Sequence, residues 1–204
     1  GKAAHGSTPS KGVNAATFLA KYLHRFEFDQ AGAESFLHLL ADHLHQDFEG
    51  VNLGVAHRDP VMQELTMNVG LINYRDDKGG NIVANFRYPK GTDPEKMAAQ
   101  TAQRLAGHDL SIEWGEFKEP HYVSVDDPMV KELLAVYEEQ TGLEGHEMTI
   151  GGGTYGRLMP RGVAYGALFP DSIDTMHQAN EFIAIDDLLK ATAIYAEAIY
   201  RITR

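Results

Sequence analysis

The sequence predicts a mixed α+β and α/β chain in two parts. A ferredoxin-like, split βαβ unit is expected over residues 1–118, and an α/β segment over 119–204. Three observations lead there. Leu65, Met67, Val69 and Leu71 alternate with Thr66, Asn68 and Gly70, and Ile82, Ala84, Phe86 and Tyr88 alternate beyond Asp76-Asp77-Lys78-Gly79-Gly80. That is a hairpin pattern. Helical patterns flank the hairpin, so the order reads strand, helix, strand, strand, helix, strand. After Glu119-Pro120 the register changes to helices separated by short apolar strands.

Each element has its local reason. The few residues before His5-Gly6 form an opening strand that looks truncated, which suggests that the natural chain begins upstream. Asn14 caps a helix carrying Ala15, Phe18, Leu19, Tyr22, Leu23 and Phe26 on one face. A second apolar helix is expected over residues 35–44, within an insertion of about residues 30–63. Asp93 and Pro94 open a helix that ends near Gly107, and residues 110–117 alternate as a closing strand. Beyond 119, Asp127 and Pro128 start a helix that Gly142 stops. Residues 148–150 and 162–169 read as strands, and Asp186 caps a final helix through Tyr200.

Composition excludes several function classes. With 18 basic against 29 acidic residues, the formal net charge is −11, so a nucleic-acid backbone is not the expected partner. There is no cysteine, which rules out disulfides and thiolate metal sites and is compatible with the cytoplasm. No apolar run is long enough to span a membrane.

Four places could carry chemistry. His5, at a strand end before a Gly/Pro-shaped turn, could donate to a developing oxyanion, or simply be an exposed turn residue. Arg87 shares a strand face with Val83 and Asn85; a guanidinium on a rigid strand suits bidentate capture of a carboxylate, although many strand arginines are merely solvated. The loop Gly151-Gly152-Gly153-Thr154 could turn backbone N–H groups toward an anion, and lacks the Gly-Lys-Ser/Thr of a P-loop. His177 follows an apolar strand in a loop, where an imidazole could bind a metal or be a solvated polar residue. There is no His-Glu-x-x-His and no Gly-x-Ser-x-Gly.

In order and spacing, four motifs resemble the M20 metallopeptidases, and within them the PepV-like bacterial dipeptidases. They are Ala4-His5-Gly6-Ser7-x-Pro9-x-x-Gly12-x-Asn14-Ala15, Phe86-Arg87-Tyr88-Pro89, Gly151-Gly152-Gly153-Thr154-Tyr155-Gly156-Arg157 and His177-Gln178-x-Asn180-Glu181. The resemblance covers essentially the whole chain. It implies a lid over 1–118 and the C-terminal portion of an α/β zinc-peptidase catalytic domain over 119–204. His5 would steady the tetrahedral intermediate, and Arg87 would grip the C-terminal carboxylate of a dipeptide. Gly152 would contact substrate through its backbone, with Thr154 beside it. His177 would be the last ligand of a two-zinc site, for which manganese or cobalt are alternatives.

The family's other metal ligands and its glutamate base lie upstream of the lid. The expected partner is therefore the missing N-terminal catalytic segment of the same protein, and the 204-residue piece alone is expected to be inactive. Asn85 replaces an aspartate found in many relatives, and Asn73-Tyr74-Arg75-Asp76 replaces an Asn-x-x-Pro stretch. Both favour the PepV-like branch. The activity implied is metal-dependent hydrolysis of dipeptides in the cytoplasm. The alternatives are a deacylase of N-acyl amino acids and a non-catalytic ferredoxin-like binding or oligomerisation module.

Overall fold

Side-chain caps at Asn14, Asp93 and Asp127 set where three helices begin. In the computed structural model, which describes residues 1–166, 168–176 and 179–204, the Asn14 carboxamide oxygen accepts from the N–H groups of Ala16 and Thr17. This opens α1 (Ala15–Leu23). α2 (Ala31–His38) runs directly into a π-helical turn, Leu39–Leu44. Two short strands, β1 (Arg58–Asp59) and β2 (Gln63–Glu64), form a tight antiparallel pair. The Asp59 carboxylate closes their loop by accepting from Val61 and Met62 N–H, each at 2.8 Å. β3 (Thr66–Arg75) and β4 (Gly79–Arg87) form the predicted hairpin, and α3 (Pro94–Leu105) starts at the Asp93 cap.

These elements belong to a unit spanning Gly1–Pro120. Its core forms where the inward face of β3 meets the helices. Leu65, Met67 and Val69 pack with Leu40, Leu44, Leu53, Val55, Met97 and Leu105. Each such side chain contributes roughly 1.5–3 kcal/mol on burial.

The second unit, His121–Arg204, holds α4 (Pro128–Thr141) and α5 (Ile185–Ile202). Asp127 caps α4 through Met129 N–H, and Gly142 ends it in the left-handed region at φ 70°. The helices bury Leu133, Val136, Ala191, Ile194 and Ala198 together with Phe169.

The fold is thus mixed α and β with small sheets, and several expected elements differ. Residues 110–117 form no strand; they lie along β4 by side chains alone, with Trp114 6.0 Å from Phe86 and Phe117 stacked at 4.5 Å on Tyr88. The opening strand reduces to one bridge between Lys2 and Val13. Among the described residues, 148–150 and 162–169 also carry no strand. Alternation places side chains on two faces, but a strand exists only where a neighbour offers its backbone groups. On the outer edge of β3 those groups are met singly: Met67 N–H donates to Phe48 C=O, and Val69 C=O accepts from the Asn14 amide.

Two helix details also change. α1 buries Thr17 and Ala20, while Phe18, Leu19, Tyr22 and Phe26 remain exposed. The cap of α5 is Ala184, and Asp186 falls inside its first turn.

Candidate functional site

The base of the β3–β4 hairpin builds the first part of the site. Thr66 pairs with Arg87 and Asn68 with Asn85, while Met67 opposite Phe86 points to the core face. Since strand side chains alternate, Thr66, Asn68, Asn85 and Arg87 share the other face. That face bears one cation and three neutral polar groups. Arg87 Nε and Thr66 Oγ1 are both buried without a hydrogen-bond partner, and no described acidic side chain pairs with Arg87. A buried donor left unsatisfied costs about 1–3 kcal/mol, so such a group calls for a ligand or water.

The turn carrying His5 comes to the same place. A Cβ built on Gly6 would stand 3.6 Å from Asn68 Nδ2 and 3.9 Å from Arg87 Nη2. His5 itself is exposed, and its Nδ1 faces Ser7, 2.7 Å from Oγ and 3.4 Å from the backbone nitrogen. A backbone N–H can only donate. Nδ1 therefore accepts, and in the neutral ring the proton sits on Nε2. The first unit thus brings the turn that carries His5 alongside Arg87 through Gly6. The pattern alone missed Thr66 and Asn68, whose signal was the hairpin register pairing them with Arg87 and Asn85.

The second unit carries the remaining candidates. Gly152 lies in an exposed bend, and Thr154 precedes a short 3-10 turn, Tyr155–Leu158. Arg157 folds back so closely that a Cβ on Gly153 would meet its Nη1 at 2.6 Å. His177 lies outside the described residues. On either side of it, Thr175 Oγ1 donates to Phe182 C=O at 3.2 Å and accepts from Phe182 N–H at 3.1 Å, tying the two flanks together. Asp187, one residue beyond the expected cap, accepts from Ser172 Oγ at 2.7 Å and so anchors the start of α5.

Residues 14–201 match the model of peptidase family M20/M25/M40. The chain belongs to this family. Among curated proteins it is similar to a Beta-Ala-Xaa dipeptidase of Lactobacillus delbrueckii subsp. lactis, 48% identical over 205 residues, covering 100% of this chain and 43% of the relative. It is 41% identical over 206 residues to the "Putative dipeptidase YtjP" of Bacillus subtilis (strain 168), covering 100% and 43% of the two chains. It is also 40% identical over 200 residues to the "Putative dipeptidase SH1171" of Staphylococcus haemolyticus (strain JCSC1435), covering 98% and 42%. The chain therefore spans 42–43% of the length of these M20 relatives.

Among the described residues, no group of three or more His, Asp or Glu side chains is arranged to hold a metal ion. His38 and Asp42 meet at 3.2 Å, and the acceptor is shared with Lys21 rather than with another ligand type. No described helix is long and apolar enough to cross a membrane. What the first-unit site of this M20 chain offers chemically is a cationic fork, a carboxamide and an imidazole N–H, all suited to negative oxygen.

Proposed function

We propose that the full-length protein hydrolyses dipeptides in the cytoplasm, and that this chain supplies the substrate clamp. Residues 1–118 would act as a ferredoxin-like lid and 119–204 as the C-terminal segment of the catalytic domain. The observation that carries the reading is Arg87: a guanidinium on a paired strand, its Nε buried and unpartnered among the described residues, with no described acidic side chain paired to it. A free C-terminal carboxylate is the complementary group, held by charge-assisted hydrogen bonds. The dipeptidase names of the relatives support the same substrate class.

His5 would donate from Nε2 to the oxyanion of the tetrahedral intermediate, with Ser7 holding the ring in that tautomer. Gly152 and Thr154 would meet the substrate from the glycine loop. His177 would be one ligand of a zinc pair, with manganese or cobalt as alternatives. The described residues assemble no metal site of their own; this chain's side chains would bind and orient the substrate.

Steady-state kinetics of the full-length protein test the proposal. A free-amine dipeptide should be hydrolysed well, its C-terminally amidated counterpart poorly. Arg87→Ala should raise KM for the dipeptide about 10- to 100-fold, the loss of one charged hydrogen bond. Preference for an N-acetyl amino acid would make the protein a deacylase instead. Turnover of neither substrate would favour a non-catalytic binding module.

A further inference from the structure

The first-unit site contains a second donor that the Arg87 clamp does not account for. Asn68 sits on β3, diagonal to Arg87 across the hairpin, at a separation that long side chains bridge. Its Nδ2 and Arg87 Nη2 converge on one point, 3.6 and 3.9 Å from where a Gly6 side chain would begin. The Gly6 turn, lacking a side chain, stands directly beside both donors, and no hydrogen bond ties the Asn68 amide to a described residue. Its cross-strand partner is Asn85, so the ledge beneath the notch holds no carboxylate that would repel an anion or neutralise the fork. Both donors stand on paired strands, which hold them more rigidly than a loop would.

We infer that Asn68 is a substrate-positioning residue, donating from its amide to the same carboxylate that Arg87 grips, beside the side-chain-free Gly6 turn. The inference rests on the dipeptide reading above. Arg87 supplies the charge. Asn68 fixes which way the carboxylate faces, and so where the scissile bond lies relative to His5. Two neighbours on the same face, Thr66 and Asn85, complete a ledge without negative charge.

The test uses the full-length protein and measures kcat and KM on one dipeptide for five forms: wild type, Arg87→Ala, Asn68→Ala, Asn68→Asp and Gly6→Ala. Asn68→Ala should raise KM about 10-fold, the worth of one hydrogen bond to a charged group. Asn68→Asp should raise it further. Its excess over Asn68→Ala should shrink as the pH falls and the new carboxylate protonates, which a purely structural defect would not reproduce. Gly6→Ala makes only ordinary contacts, so it should fold normally and still raise KM by setting a methyl against the two donor nitrogens. Unchanged KM in Asn68→Ala and Gly6→Ala, with Arg87→Ala still raising it, overturns the role of Asn68 and leaves the clamp standing. If Arg87→Ala also leaves KM unchanged, the dipeptide reading itself falls.

Discussion

At the level of single residues, short contacts decide what His5 and Arg87 can do. The Ser7 N–H fixes Nδ1 of His5 as an acceptor, which leaves Nε2 to donate. Arg87 owes its availability to its neutral surroundings: Asn85 lies two residues before it on β4, and no described acidic side chain pairs with it. If His5 stabilises charge that develops only in the transition state, its loss should appear in kcat. His5→Ala in the full-length protein should lower kcat about 100- to 1,000-fold and leave KM within a few-fold. A change confined to KM would assign His5 to ground-state binding instead. The identity of His5 and Arg87 as candidates was readable from their motifs. The convergence of Asn68 with Arg87 was not, because a diagonal contact depends on hairpin register rather than on either strand's pattern.

At the level of elements, Asn14 does two jobs that one residue type serves. Its oxygen caps α1 through Ala16 and Thr17, and its amide nitrogen donates to Val69 C=O at 2.9 Å, tying the helix to β3. Asn14→Ala removes both and should destabilise the first unit by about 1–2 kcal/mol. Asn14→Asp keeps the cap but not the donor, so its loss should be smaller. Chemical denaturation of the two variants separates the contributions, and equal losses would mean that the cap contributes nothing. Along α1 the large apolar residues were the expected core face, yet the helix buries Thr17 and Ala20 instead. Beside buried Ala20, Leu19 and Leu23 line an open groove of about 560 Å³ with Phe36 and Ile72. Which stripe is buried depends on the neighbour a helix meets, and the helical period alone does not name it.

At the level of the whole molecule, an acidic chain organises its carboxylates around a few arginines. In the second unit Arg161 grips Asp127 through Nε and Nη2 at 2.8 and 2.7 Å, while the same carboxylate caps α4. Arg201 on α5 reaches Glu132 and Glu139 on α4 as well as Glu197 on its own helix. The Arg161 hydrogen bond, helped by Met129 N–H, holds Asp127 below its ordinary value of 3.8. A depressed carboxylate stabilises the fold above its unfolded pKa, and the gain is lost as the pH falls through the folded value. Acid unfolding followed by circular dichroism from pH 5 to 2 should therefore be shallower in Asp127→Asn, which keeps a capping side chain but not the charge. An unchanged acid limb would show that this pair carries no pH dependence. Burial acts in the opposite sense on Tyr165, pushing its hydroxyl up to about 12 while it donates to Leu133 C=O.

By itself the sequence determined the caps that start α1, α3 and α4, the glycine that stops α4, the β3–β4 hairpin and the motifs that mark an M20 chain. Those signals are local: a cap, a turn or an alternation works within a few residues. Tertiary structure alone decided which alternating segments became strands. Residues 110–117 set Trp114 near Phe86 of β4 and Phe117 on Tyr88 just beyond it, but no ladder formed. It also decided that Gly6, Asn68 and Arg87 meet, since two strands and a distant turn come together only once the core beneath them is packed.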